Sequence, residues 1–395
     1  MDVTITVTNT DVKEIFIMAL GEKFPCEAKI YTDKDTGAEM IRLTSGRYNS
    51  SHIYFTNNSL YDNDSKLVIL SDRSGTPNFY SVDLETYEIT QVSDLPYCKW
   101  PNHPCLFEGI VDGVRNFVYF FFENDLMRID LKTYEMKSIY TKPADYRRHV
   151  VSVCNDSDYV YTSIYRASDM PAREFGGPYA PKPLSKIVKI KYDGSGSEEI
   201  WEEYNWIAHV NVSPTDQHKI TFCHEGSWHL VDNRIWGMDT ETGKVWAIKD
   251  PEGAIVGHEF WYQDGKRIGY HGHLNGKRTF ATCYFDGTPI RSTEFEGMTG
   301  HTFALDENLI VGDGTERGKY LRLWKLQEDG TYCEPKALCF HGSTFKTQSC
   351  HVHPRFFPDG DTIVFTSDSG GYEQVYLVKV GDFDKLPPLE KFSKI

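Results

Sequence analysis

An internal repeat constrains this chain more than any other feature. The segment Leu67-Val-Ile-Leu-Ser-Asp-Arg-Ser-Gly-Thr-Pro-Asn-Phe-Tyr-Ser-Val-Asp-Leu-Glu-Thr reads as a strand, a Ser-Asp turn with glycine, and a second strand containing a tyrosine. Ile363-Val-Phe-Thr-Ser-Asp-Ser-Gly-Gly-Tyr-Glu-Gln-Val-Tyr-Leu-Val-Lys-Val reads the same way. The unit returns from Val118, Val160, Ile220, Ile268 and Leu309, giving seven copies in 395 residues at intervals of about 40 to 60. Short strands in meander order, turns such as Asp264-Gly265, Asp286-Gly287 and Asp359-Gly360, and almost no helical period predict an all-β chain, one seven-bladed β-propeller over residues 1–395. Strand-like runs at residues 28–32 and 39–44 precede the first full repeat. A ring of blades has an open seam, so these N-terminal strands (about residues 28–45) are expected to close it against the C-terminal blade and remove an exposed edge.

Charge and composition exclude several functions. Asp+Glu 57 against Lys+Arg 42 leaves a net charge of -15, the wrong sign for a general phosphate-backbone binder, so no nucleic-acid partner is expected. No apolar run approaches the ~20 residues a membrane helix needs, and no membrane partner is expected. Residues 1–23 show no export pattern, and nine scattered cysteines without a Cys-x-x-Cys pair fit a reducing compartment, which points to the cytoplasm. A serine hydrolase is excluded, since no Gly-x-Ser-x-Gly elbow and no added α/β domain are present.

Aligned on the turn after the innermost strand, the repeats carry a histidine at one position: His353, His209, His258, His301 and His149. With 14 histidines in 395 residues, seven equivalent positions would hold about a quarter of a histidine by chance, and five hold one. In a propeller that position lies near one mouth of the central channel, so five imidazoles are expected to converge there. His351 is expected to share a strand face with His353, and Gln348, at the wrong parity, to reach the site from the preceding loop. Imidazoles with an amide oxygen suit a divalent first-row metal such as Mn or Zn, with open positions for water or substrate; acidic ligands are not obvious. His271 and His273 alternate on one strand face but have no third ligand in register, and are read as lying outside the site.

Three segments together resemble the oligogalacturonate lyase family: Gln348-Ser-Cys-His351-Val-His353-Pro-Arg-Phe-Phe-Pro-Asp-Gly, Cys223-His-Glu-Gly-Ser-Trp-His-Leu-Val-Asp-Asn-Arg234-Ile-Trp and Gly257-His258-Glu-Phe-Trp. His52-Ile-Tyr-Phe-Thr followed by Leu70-Ser-Asp-Arg-Ser-Gly-Thr-Pro-Asn is also similar, and the resemblance runs from about residue 28 onwards. The Gln-x-x-His-x-His segment is its most specific part, whereas the Ser-Asp-Arg-Ser-Gly turn is shared by many propellers. The resemblance implies a seven-bladed propeller that cleaves short pectin fragments inside bacterial cells by β-elimination, using Mn2+. It further implies that Gln348, His351, His353 and His301 hold the metal, that His258 is the base and that Arg234 is the active-site arginine. The segment between Gly312 and Leu321 is shorter than the family pattern, which bears on a rim loop and on chain-length preference.

The chemistry has its own logic. Elimination across C4 and C5 of a galacturonate removes a weakly acidic proton beside a carboxylate and needs the resulting charge stabilised. A histidine base has an unperturbed pKa near 6.5, and an arginine fork suits a carboxylate. The expected partner is a short galacturonide, digalacturonate or trigalacturonate, with His209, His149, His224 and Arg355 around it and Arg355 helping to make the mouth positive. The Pro-rich insertion at residues 170–184, flanked by Arg173, Lys182 and Lys186, reads either as a substrate flap or as a solvated loop. The donor of a proton to the leaving oxygen is not readable. A lyase for another uronate and a non-catalytic protein-binding propeller are the rival readings.

Overall fold

The structure, a computed structural model, describes residues 20–97, 108–172, 174–248, 254–297 and 299–392. Arg173 and most of the segment read for an export pattern fall outside them. The chain folds as a seven-bladed β-propeller whose seven antiparallel sheets follow one another along the sequence. All seven repeat starts fall in the second strand of a blade: Lys66–Ser71, Phe117–Phe122, Tyr159–Arg166, Asp216–His224, Arg267–Leu274, Leu309–Gly312 and Thr362–Ser367. This strand is covered on both faces by neighbouring blades, so its central residues are largely buried and apolar. Leu67, Val160, Ile220, Ile268, Ile310 and Ile363 are wholly buried.

The last blade takes strands from both ends of the chain. Glu39–Arg42 pairs with Gln374–Lys379, and Lys29–Thr32 pairs outside Glu39–Arg42. Several outer hairpins share one turn device. The carboxylates of Asp33, Asp83, Asp130 and Asp239 each accept the N–H groups two and three residues on, which fixes the turn with few apolar contacts. Among the described residues no helix is long and apolar enough to cross a membrane.

Strand polarity decides where chemistry can sit. The histidines of the repeat lie within the innermost strands (His149, His209, His258) or just before them (His301, His353), towards one mouth of the channel. Because neighbouring strands run antiparallel, the ends of the second strands and the loops from second to third strand lie at that same mouth. The ends of the innermost strands, including Val212, Trp261 and Phe357, line a separate cavity of about 400 Å³ at the opposite mouth.

Candidate active site

The backbone aims these side chains by breaking its own ladders. The innermost strands lose register between Arg148 and Val151, between Ala208 and Asn211, and between Gly257 and Phe260, each time across a repeat histidine. His209, His258 and His353 are left-handed, with φ of 46°, 53° and 46°. A left-handed residue at a bulge re-aims its side chain at a cost of about 1–3 kcal/mol, and such strain collects at functional sites. His353 is not in a strand at all: a 3-10 turn, Gln348–Cys350, precedes it and pairing begins only at Arg355–Phe356. The expected shared strand face for His351 and His353 is therefore corrected. The turn, not the pleat, brings them together, and it carries the exposed Gln348 on the same short loop.

His301, His351 and His353 form one group in which a ring nitrogen of each lies within 4.8 Å of the others. Gln348 Nε2 is 3.4 Å from His353 Nε2, so the carboxamide faces the same point, and turning the amide over would present its oxygen. Asp313, fully buried, takes His301 Nδ1 at 2.6 Å and the Gly300 and His301 backbone N–H groups at 2.9 Å. Burial would raise the Asp313 pKa, but His301 and the donors around it hold it below the usual carboxylate range. With Nδ1 of His301 engaged by the carboxylate, Nε2 is the ring nitrogen left to serve as a ligand. Burial, followed by the neighbouring imidazole of His301, lowers the pKa of both His351 and His353, which favours their neutral, ligating form. Three imidazoles and a carboxamide fit a divalent first-row cation.

His258 lies beside this group, its ring centroid 4.5 Å from that of His301. Trp228 meets it edge-on at 5.1 Å, and His271 Nε2 stands 3.3 Å from its Nδ1 and 3.1 Å from the Gly300 carbonyl. Burial, then His301 and His271, hold the His258 pKa well below 6.5. His271 therefore belongs to the site, contrary to the expectation for it; His273, two residues on, is exposed. Arg234 is buried, with Nη1 2.9 Å from Glu225 Oε1 and Nε 3.7 Å from Glu259 Oε2. Glu225 also takes His209 Nε2 at 3.2 Å, and the His209 backbone N–H reaches His149 Nδ1 at 3.4 Å.

The five repeat histidines are thus not one cluster. His258, His301 and His353 gather on one side, and His149 and His209 pair with Glu225 on the other. Tyr54 of the first blade stands between them, 5.1 Å from His353 and 6.0 Å from His209 by ring centroids. Two expected substrate contacts, His224 and Arg355, are placed apart from the histidine group. His224 is buried with Nδ1 2.7 Å from Asp232 and Nε2 2.9 Å from Glu203, so both ring nitrogens are already engaged. Arg355 lines the cavity at the opposite mouth, where its Nη1 donates to the Phe55 carbonyl at 2.6 Å and its guanidinium covers the Phe303 ring. Arg234, for its part, is paired with Glu225 and faces Glu259.

The family model described as oligogalacturonate lyase matches residues 18–333. The chain belongs to the oligogalacturonate lyase family. It is accordingly a carbon–oxygen lyase of the kind that acts on polysaccharides. An oligogalacturonide lyase from Pectobacterium atrosepticum is 28% identical, over 92% of this chain and 99% of that protein. An oligogalacturonate lyase from Dickeya dadantii is 27% identical over the same shares. A solved structure of an oligogalacturonate lyase in complex with manganese matches with a TM-score of 0.82 at 26% identity, covering 93% of this chain and 99% of that one.

In this member of the family, the carboxylates Asp313 and Glu225 escaped sequence reasoning. A signal for both existed. Glu225 stands five residues after Ile220, where two other repeats place Asp72 after Leu67 and Asp368 after Ile363, and Asp313 is one residue short of that register. Asp72 receives the Asn49 N–H, Asp368 the Thr344 N–H and Asp313 the His301 N–H, so the turn acid pins the entry to an innermost strand in each case.

Proposed function

We propose that this chain cleaves short galacturonide oligosaccharides, digalacturonate and trigalacturonate, by β-elimination, with His258 as base and a divalent cation, Mn2+, held by His301, Gln348, His351 and His353. The convergence of these four donors within contact of an unprotonated His258 is the observation that carries the reading. When bound, the cation supplies Lewis-acid stabilisation to a uronate carboxylate. His258 accepts the C5 proton: its depressed pKa keeps it unprotonated at neutral pH, and His301 and Trp228 restrict its ring. Arg234 is oriented by Glu225 and donates its remaining N–H groups to a carboxylate or to the charge developing on it. Electrons from the C5–H bond form the C4–C5 double bond as the C4–O bond breaks, and the oxygen leaves with a proton.

The manganese complex of a structural relative supports the choice of metal. The seven described cysteines, all free thiols, support work in the cytoplasm. The test is mass spectrometry of products from digalacturonate and trigalacturonate with Mn2+, with chelator and with His258→Ala. Products lacking the mass of an added water, formed only with metal and with the intact base, are expected. Products that have gained water would overturn elimination, and cleavage undiminished by chelator would overturn the metal.

A further inference from the structure

The third blade departs from its neighbours between the strands Tyr159–Arg166 and Leu184–Lys191, where residues 167–172 and 174–183 leave the sheet. This loop joins a second strand to a third, so it rises at the mouth that holds the histidines. It does not project freely. Gly176 N–H donates to Ser227 Oγ at 3.4 Å, immediately before Trp228, which contacts His258. Ala180 is buried against Gly226, which has a φ of +139° and on which a Cβ would stand a tight 3.2 Å from the Ala180 Cβ. The excursion is therefore packed onto the loop that carries the catalytic wall, which disfavours the reading as a solvated loop.

What it carries outward is aromatic. Phe175 is 50% exposed yet rests on Trp206 at 5.3 Å, and Trp206 in turn meets Tyr165 at 5.7 Å and His149 at 6.5 Å. The indole Nε1 of Trp206 is buried without an acceptor among the described residues. Tyr179, 66% exposed, lies on the same excursion. Arg147 reaches Glu174 at 2.8 Å in an ion pair exposed on both sides, which holds the guanidinium so weakly that an incoming carboxylate can displace Glu174. Exposed aromatic faces beside an exchangeable arginine are the chemistry that binds a uronate ring: apolar C–H face to ring, carboxylate to fork.

We infer that residues 174–183 build a distal sugar subsite of the same cleft, in which Phe175 stacks on a uronate ring remote from the scissile bond and Arg147 takes its carboxylate. This inference rests on the galacturonide reading above. Phe175 is separated from His258 by Gly176, Ser227 and Trp228 in turn, so the ring it serves is not the one that faces the base. The subsite makes the enzyme favour trigalacturonate over digalacturonate.

The test compares kcat and KM on digalacturonate and trigalacturonate for wild type, Phe175→Ala and Arg147→Gln, with metal content and melting temperature checked for each. Either substitution is expected to raise KM for trigalacturonate roughly three- to tenfold, leaving kcat and all digalacturonate parameters within about twofold. Equal losses on both substrates would assign the loop a structural role, and unchanged constants would make it a passive surface; either overturns the subsite. If wild type with Mn2+ cleaves neither substrate, the galacturonide reading itself has failed and the subsite falls with it, an outcome distinct from the other two.

Discussion

At the scale of single residues, the site separates groups that hold a cation from groups that act on substrate. His258 touches the ring of His301 but lies outside the mutually close trio of ring nitrogens. His258→Ala should therefore abolish turnover and leave bound metal unchanged by elemental analysis, whereas His353→Ala should lose both; retained activity in His258→Ala would remove it as the base. Asp313 works one bond further out. Its carboxylate fixes the His301 tautomer and also gathers the Thr299 hydroxyl and two backbone N–H groups. Asp313→Asn can offer His301 Nδ1 an amide N–H and so favour the wrong tautomer. Mn2+ affinity, measured by calorimetry, should fall by about 10- to 100-fold while the fold persists, and an unchanged affinity would deny Asp313 that role.

At the scale of elements, short irregularities in the innermost strands aim the site, and the strands behind them make it rigid. In the sixth blade, Thr302–Phe303 and Leu309–Gly312 hold His301 and Asp313 in register. A Cβ on Gly312 would stand 2.6 Å from Thr299 Oγ1 and 2.8 Å from the Trp324 ring. Trp324 is fully buried and stacks on Phe295 at 4.2 Å, so it cannot give way and Thr299 must move. Gly312→Ala should weaken Mn2+ binding although no ligand is changed, with a melting temperature lowered by the overpacking of about 1–3 kcal/mol. Normal metal affinity in that variant would show that the Thr299–Asp313 bond is dispensable.

At the scale of the whole molecule, closing the ring places histidines where burial disfavours their charged form. Burial lowers the pKa of His52 to about 4 and of His149 and His341 to about 3. The unfolded chain, with histidines near 6.5, takes up protons that the folded chain refuses. Stability is thus complete above about pH 6.5 and falls as pH drops through that value, until the folded-state values near 3 to 4 are reached. Each such histidine removes about 2 kcal/mol by pH 5, a large share of the ~5–15 kcal/mol that holds a typical domain. Calorimetry at pH 7 and pH 5 should show a steep drop in melting temperature, and an equal value at both would mean these rings are protonated in the fold.

The architecture was legible in the chain because its evidence is local and repeated: apolar second strands, turn acids, and a histidine in the same register of blade after blade. Sequence by itself determined the propeller, and it singled out His258, Arg234, His301, Gln348, His351 and His353 as the residues to examine. It could not say which residues share a mouth. Arg355 follows His353 by only two positions, yet it faces the far cavity, because a left-handed residue and the start of a strand intervene. His224 neighbours Glu225, but the pleat turns one toward Asp232 and the other toward Arg234. His271 reaches His258 only through pairing of two strands, and Asp313 reaches His301 only because a loop folds back across its blade. Periodicity along a chain specifies which strands form. Direction across a channel is set by bulges, turns and the contacts of one blade with the next, and those exist only once the ring has closed.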